Sequence, residues 1–286
     1  SRLFLGTVII IVLFGLLAFF SASFGLLSRS GASFSSVVAS QLLFGLLPGI
    51  ILAYLASRIH YTFWRRFALI IFIITIGLNL LLLIPHVGLE HGGATRWIQI
   101  GGATFQPSEL LKIAFIIYLA SWLSGVKEKI KETKFGILPL LIILGITVAI
   151  LILQRDTDNA AIIIFTALSI YFVMGARLRD LAIILIIGGV GLGALVLIRP
   201  YLVQRILTFL DPSRDPLNSS YQVNQSLIAV GSGQFWGRGF GQSVQKYSRL
   251  PEPIGDSIYA VIGEEFGFVG AVAVLFLFAI FVLLGM

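Results

Sequence analysis

Long apolar runs alternate along this chain with short stretches rich in charge, glycine or proline. A hydrocarbon core about 30 Å thick takes about 20 apolar residues in a helix, because every backbone polar group must find its partner inside the segment. Eight stretches reach or approach that length: Leu3–Leu26, Phe34–Ala56, Phe67–Ile84, Pro107–Gly125, Phe135–Leu153, Ala160–Met174, Leu178–Ile198 and Asp256–Gly285. The first is too long for a signal-peptide apolar region and lacks a small-residue cleavage site, so it reads as a retained span. The pattern predicts an all-α polytopic membrane protein with eight transmembrane helices. It shows neither an internal repeat nor a detachable soluble domain, so residues 1–286 read as a single integral membrane domain.

Two connections exceed the usual handful of residues. Pro85–Gln106 carries glycine, histidine and tryptophan and is expected at the membrane interface. Pro200–Gly255 runs to 56 residues before the last span. Within it, Asn218–Ser220 followed by Tyr221 to Val230 and then Gly231 predicts a short capped helix with a glycine stop.

Composition narrows the class. Of 286 residues, 58% are hydrophobic and 12% charged, against about 25% charged in a typical soluble domain. With no cysteine, disulfides and thiolate metal sites are excluded. The net charge of +7 is read as basic loops at an anionic membrane face, not as a sign of nucleic acid. Nine cations lie in one set of short loops (Arg58, Arg65, Arg66, Lys127, Lys129, Lys131, Lys134, Arg177 and Arg179), against Arg29, Arg96 and Arg155 in the other. Basic loops stay cytoplasmic. The N-terminus is therefore expected inside, with 85–106 and 200–255 outside.

Charged groups inside or at the ends of spans are costly and normally face a bundle interior or wet cavity. In Gln106-Pro107-Ser108-Glu109-Leu110-Leu111-Lys112, the proline suits a first helical turn, Glu109 complements the helix dipole, and Lys112 can pair with it at i+3. Arg96-Trp97 reads either as an interfacial anchor or as a fork for a lipid phosphate. Asp256, after Leu250-Pro251-Glu252-Pro253-Ile254-Gly255, reads either as the cap of the last span or as a general base at a cavity mouth. Glu264-Glu265 lie deeper and need partners, with Lys112 or neighbouring backbone as candidates. Gly231–Gly241 holds five glycines around Phe235, Trp236 and Arg238. It lacks the Gly-Lys-Ser/Thr ending of a nucleotide phosphate loop, leaving a surface loop or a backbone approach to phosphate. His60, His86 and His91 show no metal-ligand spacing. Asn218-Ser219-Ser220 also matches a glycosylation acceptor, a pattern common by chance.

Six ordered blocks then resemble the SEDS family (shape, elongation, division and sporulation), whose members include FtsW, RodA and SpoVE. They are Gly93-Ala94-Thr95-Arg96-Trp97-Ile98; Gln106 to Leu110; Phe209-Leu210-Asp211-Pro212; Tyr221-Gln222-Val223-Asn224-Gln225-Ser226; Gly237-Arg238-Gly239-Phe240-Gly241; and Leu250 through Asp256, continuing to Glu264-Glu265-Phe266-Gly267. Ser243-Val244-Gln245-Lys246 is more similar to the division branch, FtsW, than to RodA. Two stretches depart from the family pattern. Its Gln-Pro-Asp-Leu-Gly-Thr is Gln154-Arg155-Asp156-Thr157-Asp158-Asn159 here, and its His-Thr pair before the aspartate is Ile254-Gly255.

The resemblance implies an inverting peptidoglycan glycosyltransferase of the bacterial cytoplasmic membrane that polymerises lipid II during cell division. The growing strand would be linked to undecaprenyl pyrophosphate, and a class B penicillin-binding transpeptidase and other division proteins would be partners. It implies ten spans in the family against eight here. Asp256 is implied as catalytic base, and Arg96, Glu109 and Lys112 as substrate-binding residues. Arg238 and Lys246 are further candidates for substrate binding, with Gln106, Pro107, Glu264 and Glu265 supporting. A divalent cation, Mg or Mn, bridging the pyrophosphate is the one cofactor the chemistry suggests, although the sequence shows no protein-built metal site. Two other readings stand beside it: a lipid II flippase, which the same cationic, lipid-sized cavity would suit, and a non-enzymatic division scaffold, which leaves the intramembrane charges unexplained.

Overall fold

The structure, a computed structural model, describes residues 2–25, 34–85, 87–91, 94–100, 103–198, 200–213, 215 and 220–286. Leu26, Arg29, His86, Gly93, Asn218 and Ser219 lie outside the described residues. Eight apolar helices coincide with the eight predicted spans: α1 (Arg2–Ser23), α2 (Phe34–Arg58), α3 (Tyr61–Leu81), α4 (Pro107–Gly125), α5 (Ile137–Leu153), α6 (Thr157–Val173), α7 (Leu178–Ile198) and, after three shorter helices, α11 (Ile258–Gly285). Six of them are long and apolar enough to cross a membrane, while α5 and α6 are 17 residues each. The protein is a polytopic all-α membrane protein. α3 starts six residues before its predicted Phe67, because His60 caps it by accepting from the Thr62 amide.

The 85–106 connection is more regular than its composition suggested. It forms a small antiparallel sheet in the order β1 (Leu89–His91), β2 (Ala94–Ile100), β3 (Ala103–Phe105), with Leu89 opposite Trp97 and Ile98 opposite Phe105.

The chain divides into two compact units, Ser1–Ile50 with Leu195–Met286, and Ile51–Ala194, the division passing through α2 and α7. In the second unit, α4 buries Leu111, Phe115, Leu119 and Leu123, a stripe repeating every four residues, and leaves Leu110, Ile113 and Ile116 on the outer surface. The ring of Phe72 on α3 stacks on Tyr118 of α4 at 4.9 Å, and Leu140, Leu151, Ile163 and Tyr171 complete the core.

In the first unit, α1 runs antiparallel along α11. Phe4 stacks on Phe281 at 5.2 Å, Phe14 meets Phe266 at 5.5 Å, and Ser21 reaches Glu265. The 200–255 segment supplies α8 (Pro200–Leu210), α9 (Tyr221–Ser232) and α10 (Gln245–Ser248). α9 does not stop at Gly231; it continues to Ser232 with Gly233 as its C-cap. The reason is close packing. A Cβ on Gly233 would lie 2.0 Å from the Gly263 carbonyl oxygen of α11, so only glycine admits this crossing.

α11 is broken at Gly267, whose φ of 66° and ψ of −163° lie in a region open essentially to glycine alone. The break deprives the Glu264 and Glu265 carbonyls and the Phe268 and Val269 amides of their helical partners. The glycine-rich stretch supplies all four. Arg238 N–H donates to Glu264 O (3.0 Å) and Gly239 N–H to Glu265 O (2.9 Å), while Phe268 N–H donates to Gln234 O (2.9 Å) and Val269 N–H to Phe235 O (3.2 Å). This stretch is thus an insert that mends a broken span, not a surface loop. Gly237, at φ 83°, sits at the closest approach: a Cβ there would be 2.2 Å from Glu265 O. Gly237→Ala and Gly267→Ala are each expected to lower stability by more than about 2 kcal/mol in detergent. Gly231→Ala, within α9 and facing open space, should be neutral or stabilising by up to about 1 kcal/mol. Thermal unfolding of the three variants checks this, and equal melting of Gly237→Ala and Gly231→Ala contradicts it.

Candidate active site

Asp256 lies on the turn that feeds α11. Glu252 takes a left-handed conformation (φ 43°), and its carbonyl accepts the amides of Gly255 and Ser257, both at 3.1 Å. Ser257, not Asp256, is the N-cap residue of α11. Its hydroxyl makes no capping bond and instead accepts from Gln222 Nε2 of α9 at 3.2 Å. The Asp256 side chain is exposed, and among the described residues no hydrogen bond or ion pair engages its carboxylate. The capping role open to it in the sequence is therefore not the one it has.

Behind this turn, two buried carboxylates hold the glycine-rich insert. Glu264 accepts the Ser243 hydroxyl (2.6 Å) and the amides of Val244 (3.0 Å) and Gln245 (3.3 Å), with Arg238 Nε at 3.7 Å. Glu265 accepts Ser21 Oγ of α1 (2.6 Å), the Ser243 amide (3.3 Å) and Lys246 Nζ (2.7 Å). Their partners are thus Arg238 and Lys246, not Lys112. Lys246 is fully buried, and its three protons go to Ser21 Oγ, Gly241 O and Glu265. It offers no donor to a ligand in this arrangement, which replaces the substrate-binding role expected for it with that of an internal counter-ion. Arg238 is 41% exposed at the edge of the same cluster, its Nε also directed at Ser232 O.

The second unit holds the other predicted residues. Gln106 is the N-cap residue of α4, Pro107 follows at N1, and Glu109 in the first turn pairs with Lys112 at 2.9 Å. Arg96, on β2, reaches the Arg155 carbonyl and lies 3.7 Å from the buried Asp156 carboxylate. Asp156 also accepts from Asn159 Nδ2 (2.8 Å) and Gln106 Nε2 (3.5 Å), while Gln154 Nε2 donates to the Asn79 carbonyl (2.7 Å). The turn from Gln154 to Asn159, which departs from the family pattern, is therefore a buried polar hub. One donor remains: Arg96 Nε is buried with no hydrogen-bond partner among the described residues. Among those residues, no three His, Asp or Glu side chains gather as a cation site.

The sequence model of the FtsW/RodA/SpoVE cell cycle proteins matches residues 1–286. The chain belongs to this family. Among its relatives are the "probable peptidoglycan glycosyltransferase FtsW" of Nitrosococcus halophilus, 38% identical over 83% of this chain and 61% of the relative, and stage V sporulation protein E of Bacillus subtilis, 38% identical over 84% and 65%. The FtsW of a Geobacter species is 34% identical over 96% of this chain and 74% of its own. The chain spans about three fifths to two thirds of the first two relatives. Among solved structures, a chain from a study of structural coordination of polymerization and crosslinking by a peptidoglycan synthase complex superposes with a TM-score of 0.69. It is 25% identical, over 93% of this chain and 74% of that one. The fold is also that of Thermus thermophilus RodA (TM-score 0.62, 24% identity, 96% and 71% covered).

The family's blocks acquire physical reasons in this structure. Asn224 Nδ2 holds the Pro212 carbonyl at 2.9 Å, joining Phe209–Pro212 to Tyr221–Ser226, and Gly237–Gly241 mends α11 opposite Glu264-Glu265-Phe266-Gly267. Sequence reasoning missed Glu252, Asp156 and Asn159 as residues that shape the two sites. Glu252 lies between Pro251 and Pro253, and those prolines were the available signal.

Removing one member of a buried ion pair typically costs about 3–5 kcal/mol, because the other charge is stranded. Lys246→Met is expected to destabilise the protein by that order in thermal unfolding, and Lys246→Met with Glu265→Gln to recover at least half of the loss. A single variant as stable as the parent contradicts the counter-ion assignment.

Proposed function

We propose that this chain is the catalytic membrane domain of a peptidoglycan glycosyltransferase, set in the bacterial cytoplasmic membrane with its N-terminus inside and with 85–106 and 200–255 outside. Asp256 is the general base. It takes the proton from the 4-hydroxyl of the incoming lipid II sugar as that oxygen attacks the anomeric carbon of the strand. The bond to the undecaprenyl pyrophosphate breaks with inversion, and the departing oxygen carries the negative charge away. The observation that carries this reading is the Asp256 carboxylate, exposed at the head of a span and not consumed as a helix cap.

Cations preorganised where the pyrophosphate charge develops must supply much of the remaining acceleration. On the motif match, Arg96 and Lys112 are assigned to the pyrophosphate, with Glu109 as the partner of Lys112, and the unspent Arg96 Nε supports the assignment. Arg238 is a weaker candidate because Glu264 already claims its charge. A divalent cation such as Mg or Mn would have to be held chiefly by the substrate's own oxygens, since the described residues build no such site. The antiparallel packing of α1 and α11 puts the end of α1 and the Asp256 turn on one side, as the assigned orientation requires. A class B penicillin-binding transpeptidase and other division proteins are the proposed partners.

The test supplies labelled lipid II in detergent to the full-length protein with its transpeptidase partner. Glycan strands are expected from the parent, with initial rates falling about 10²–10⁴-fold in Asp256→Asn. Unchanged polymer in that variant overturns the base assignment, and no polymer from the parent favours lipid II flipping or a scaffold.

A further inference from the structure

Lysines in a loop are enough to keep it cytoplasmic, whatever shape the loop takes. The connection between α4 and α5 is nevertheless a folded one. Lys129 N–H donates to Val126 O (2.8 Å), Glu132 N–H to Lys129 O (2.9 Å), and the amides of Phe135 and Gly136 to Glu132 O (3.1 and 2.8 Å). Ile130 is buried at its centre, and its carbonyl accepts from the Tyr171 hydroxyl of α6 at 3.4 Å. A Cβ on Gly136 would lie 2.0 Å from that same oxygen, so the loop closes on itself through a glycine. Tyr171 shares its proton with the Asp180 carboxylate of α7, also at 3.4 Å. Ser121 of α4 donates to the Arg65 carbonyl at the start of α3 (3.3 Å). Three connections of the second unit are thus pinned into one face at one end of its helices.

The nine loop cations meet only three carboxylates on this face, Glu128, Glu132 and Asp180. Asp180 is buried, engaged by Tyr171 and with Arg179 Nε at 3.7 Å. Among the described residues, no lysine of 126–136 forms an ion pair with Glu128 or Glu132. Two of these lysines are instead drawn to one aromatic ring: Lys129 Nζ and Lys134 Nζ lie 5.2 and 5.8 Å from the centre of the half-buried Phe135. The ring offsets each charge only in part, and two ammonium groups gathered at one ring repel each other. An anion bound by both removes that cost.

The surface next to the ring selects the anion. Leu138, Ile142 and Ile146 of α5 are all about half exposed, and at i, i+4 and i+8 they form one aliphatic stripe. The stripe begins four residues after Lys134 and runs along the span. A free phosphate or a soluble acidic segment would use the two ammonium groups and leave the stripe unused. An anionic glycerophospholipid uses both, its phosphate at the lysines and an acyl chain along the stripe. A zwitterionic lipid brings its own cation to the same place and gains less.

We propose that Lys129, Lys134 and Phe135 form a binding site for the phosphate of an anionic glycerophospholipid, whose acyl chain lies along Leu138, Ile142 and Ile146. The site does not depend on the polymerase reading; the proposed orientation serves only to name the inner leaflet as the source of the lipid. Native mass spectrometry of the delipidated protein in detergent counts bound lipid directly. The first phosphatidylglycerol is expected to bind at least about fivefold tighter than the first phosphatidylcholine, and Lys129→Gln with Lys134→Gln to bring the two to within about twofold. Lys127→Gln with Lys131→Gln removes the same charge from the same loop and is expected to keep more than about half of the preference. Thermal unfolding confirms that both double variants fold. A parent without preference overturns the site, and so does an equal loss in the two double variants, which is the behaviour of a diffuse positive field. Millimolar inorganic phosphate, compared with chloride at equal ionic strength, and a soluble polyglutamate peptide are each expected to leave the bound phosphatidylglycerol in place. Displacement by phosphate makes this a site for a free anion, and displacement by the peptide makes it a surface for an acidic protein; either result overturns the lipid site.

Discussion

A backbone group without a partner costs several kcal/mol in hydrocarbon, and α11 breaks where four such groups would be stranded. The structure answers with Gln234, Phe235, Arg238 and Gly239, which take up all four across the break. Much of the first unit follows from that pairing. Gly233, Gly237 and Gly267 are glycines because backbone passes against backbone there. The same pairing brings Ser243 and Lys246 against Glu264 and Glu265, so that two buried carboxylates gain two cations and a set of amide donors. Ser21 extends the network into α1. Neither half is self-sufficient: without the insert the carboxylates would be buried charges, and without the carboxylates the insert would lose its anchor.

In the proposed mechanism this arrangement bears on chemistry, because the mended helix is the one preceded by Asp256, the proposed general base. A general base must be held within hydrogen-bond reach of the proton it takes, and a base on a fraying helix end would not be. Here the turn is fixed by the Glu252 carbonyl on one side and by the Gln222–Ser257 contact on the other. The long outer segment is in this sense a clamp on the aspartate-bearing span. The polar hub around Asp156 does comparable work for Arg96, using a buried carboxylate to orient a guanidinium while leaving one donor unspent.

Much of the architecture was legible in the sequence because lipid imposes a length and a composition on each span. Pro107 marked the start of α4 and Gly125 its end. What stayed hidden was every feature made by residues distant in the chain. Ser21 and Glu265 are 244 residues apart, and no periodicity announces that a serine near the end of one span will share a lysine with a glutamate in another. The glycines of 231–241 were visible, but the break they serve is at Gly267, where the sequence shows only one more glycine in an apolar run. The strands of 89–105 were obscured by short length and mixed alternation. Asp256 was legible as an important carboxylate, yet whether it capped the helix required the geometry of Ser257.

Amide hydrogen exchange in lipid nanodiscs tests the central claim most directly, since it reads the four bonds across the break. The account predicts that Arg238, Gly239, Phe268 and Val269 are protected as strongly as the intact turns of α11, and that Gly237→Ala removes protection from all four together. Exchange of Arg238 and Gly239 at the rate of an unstructured peptide, with Phe268 and Val269 still protected, would contradict it: the glycine-rich stretch would then be a surface loop and α11 would be continuous without it.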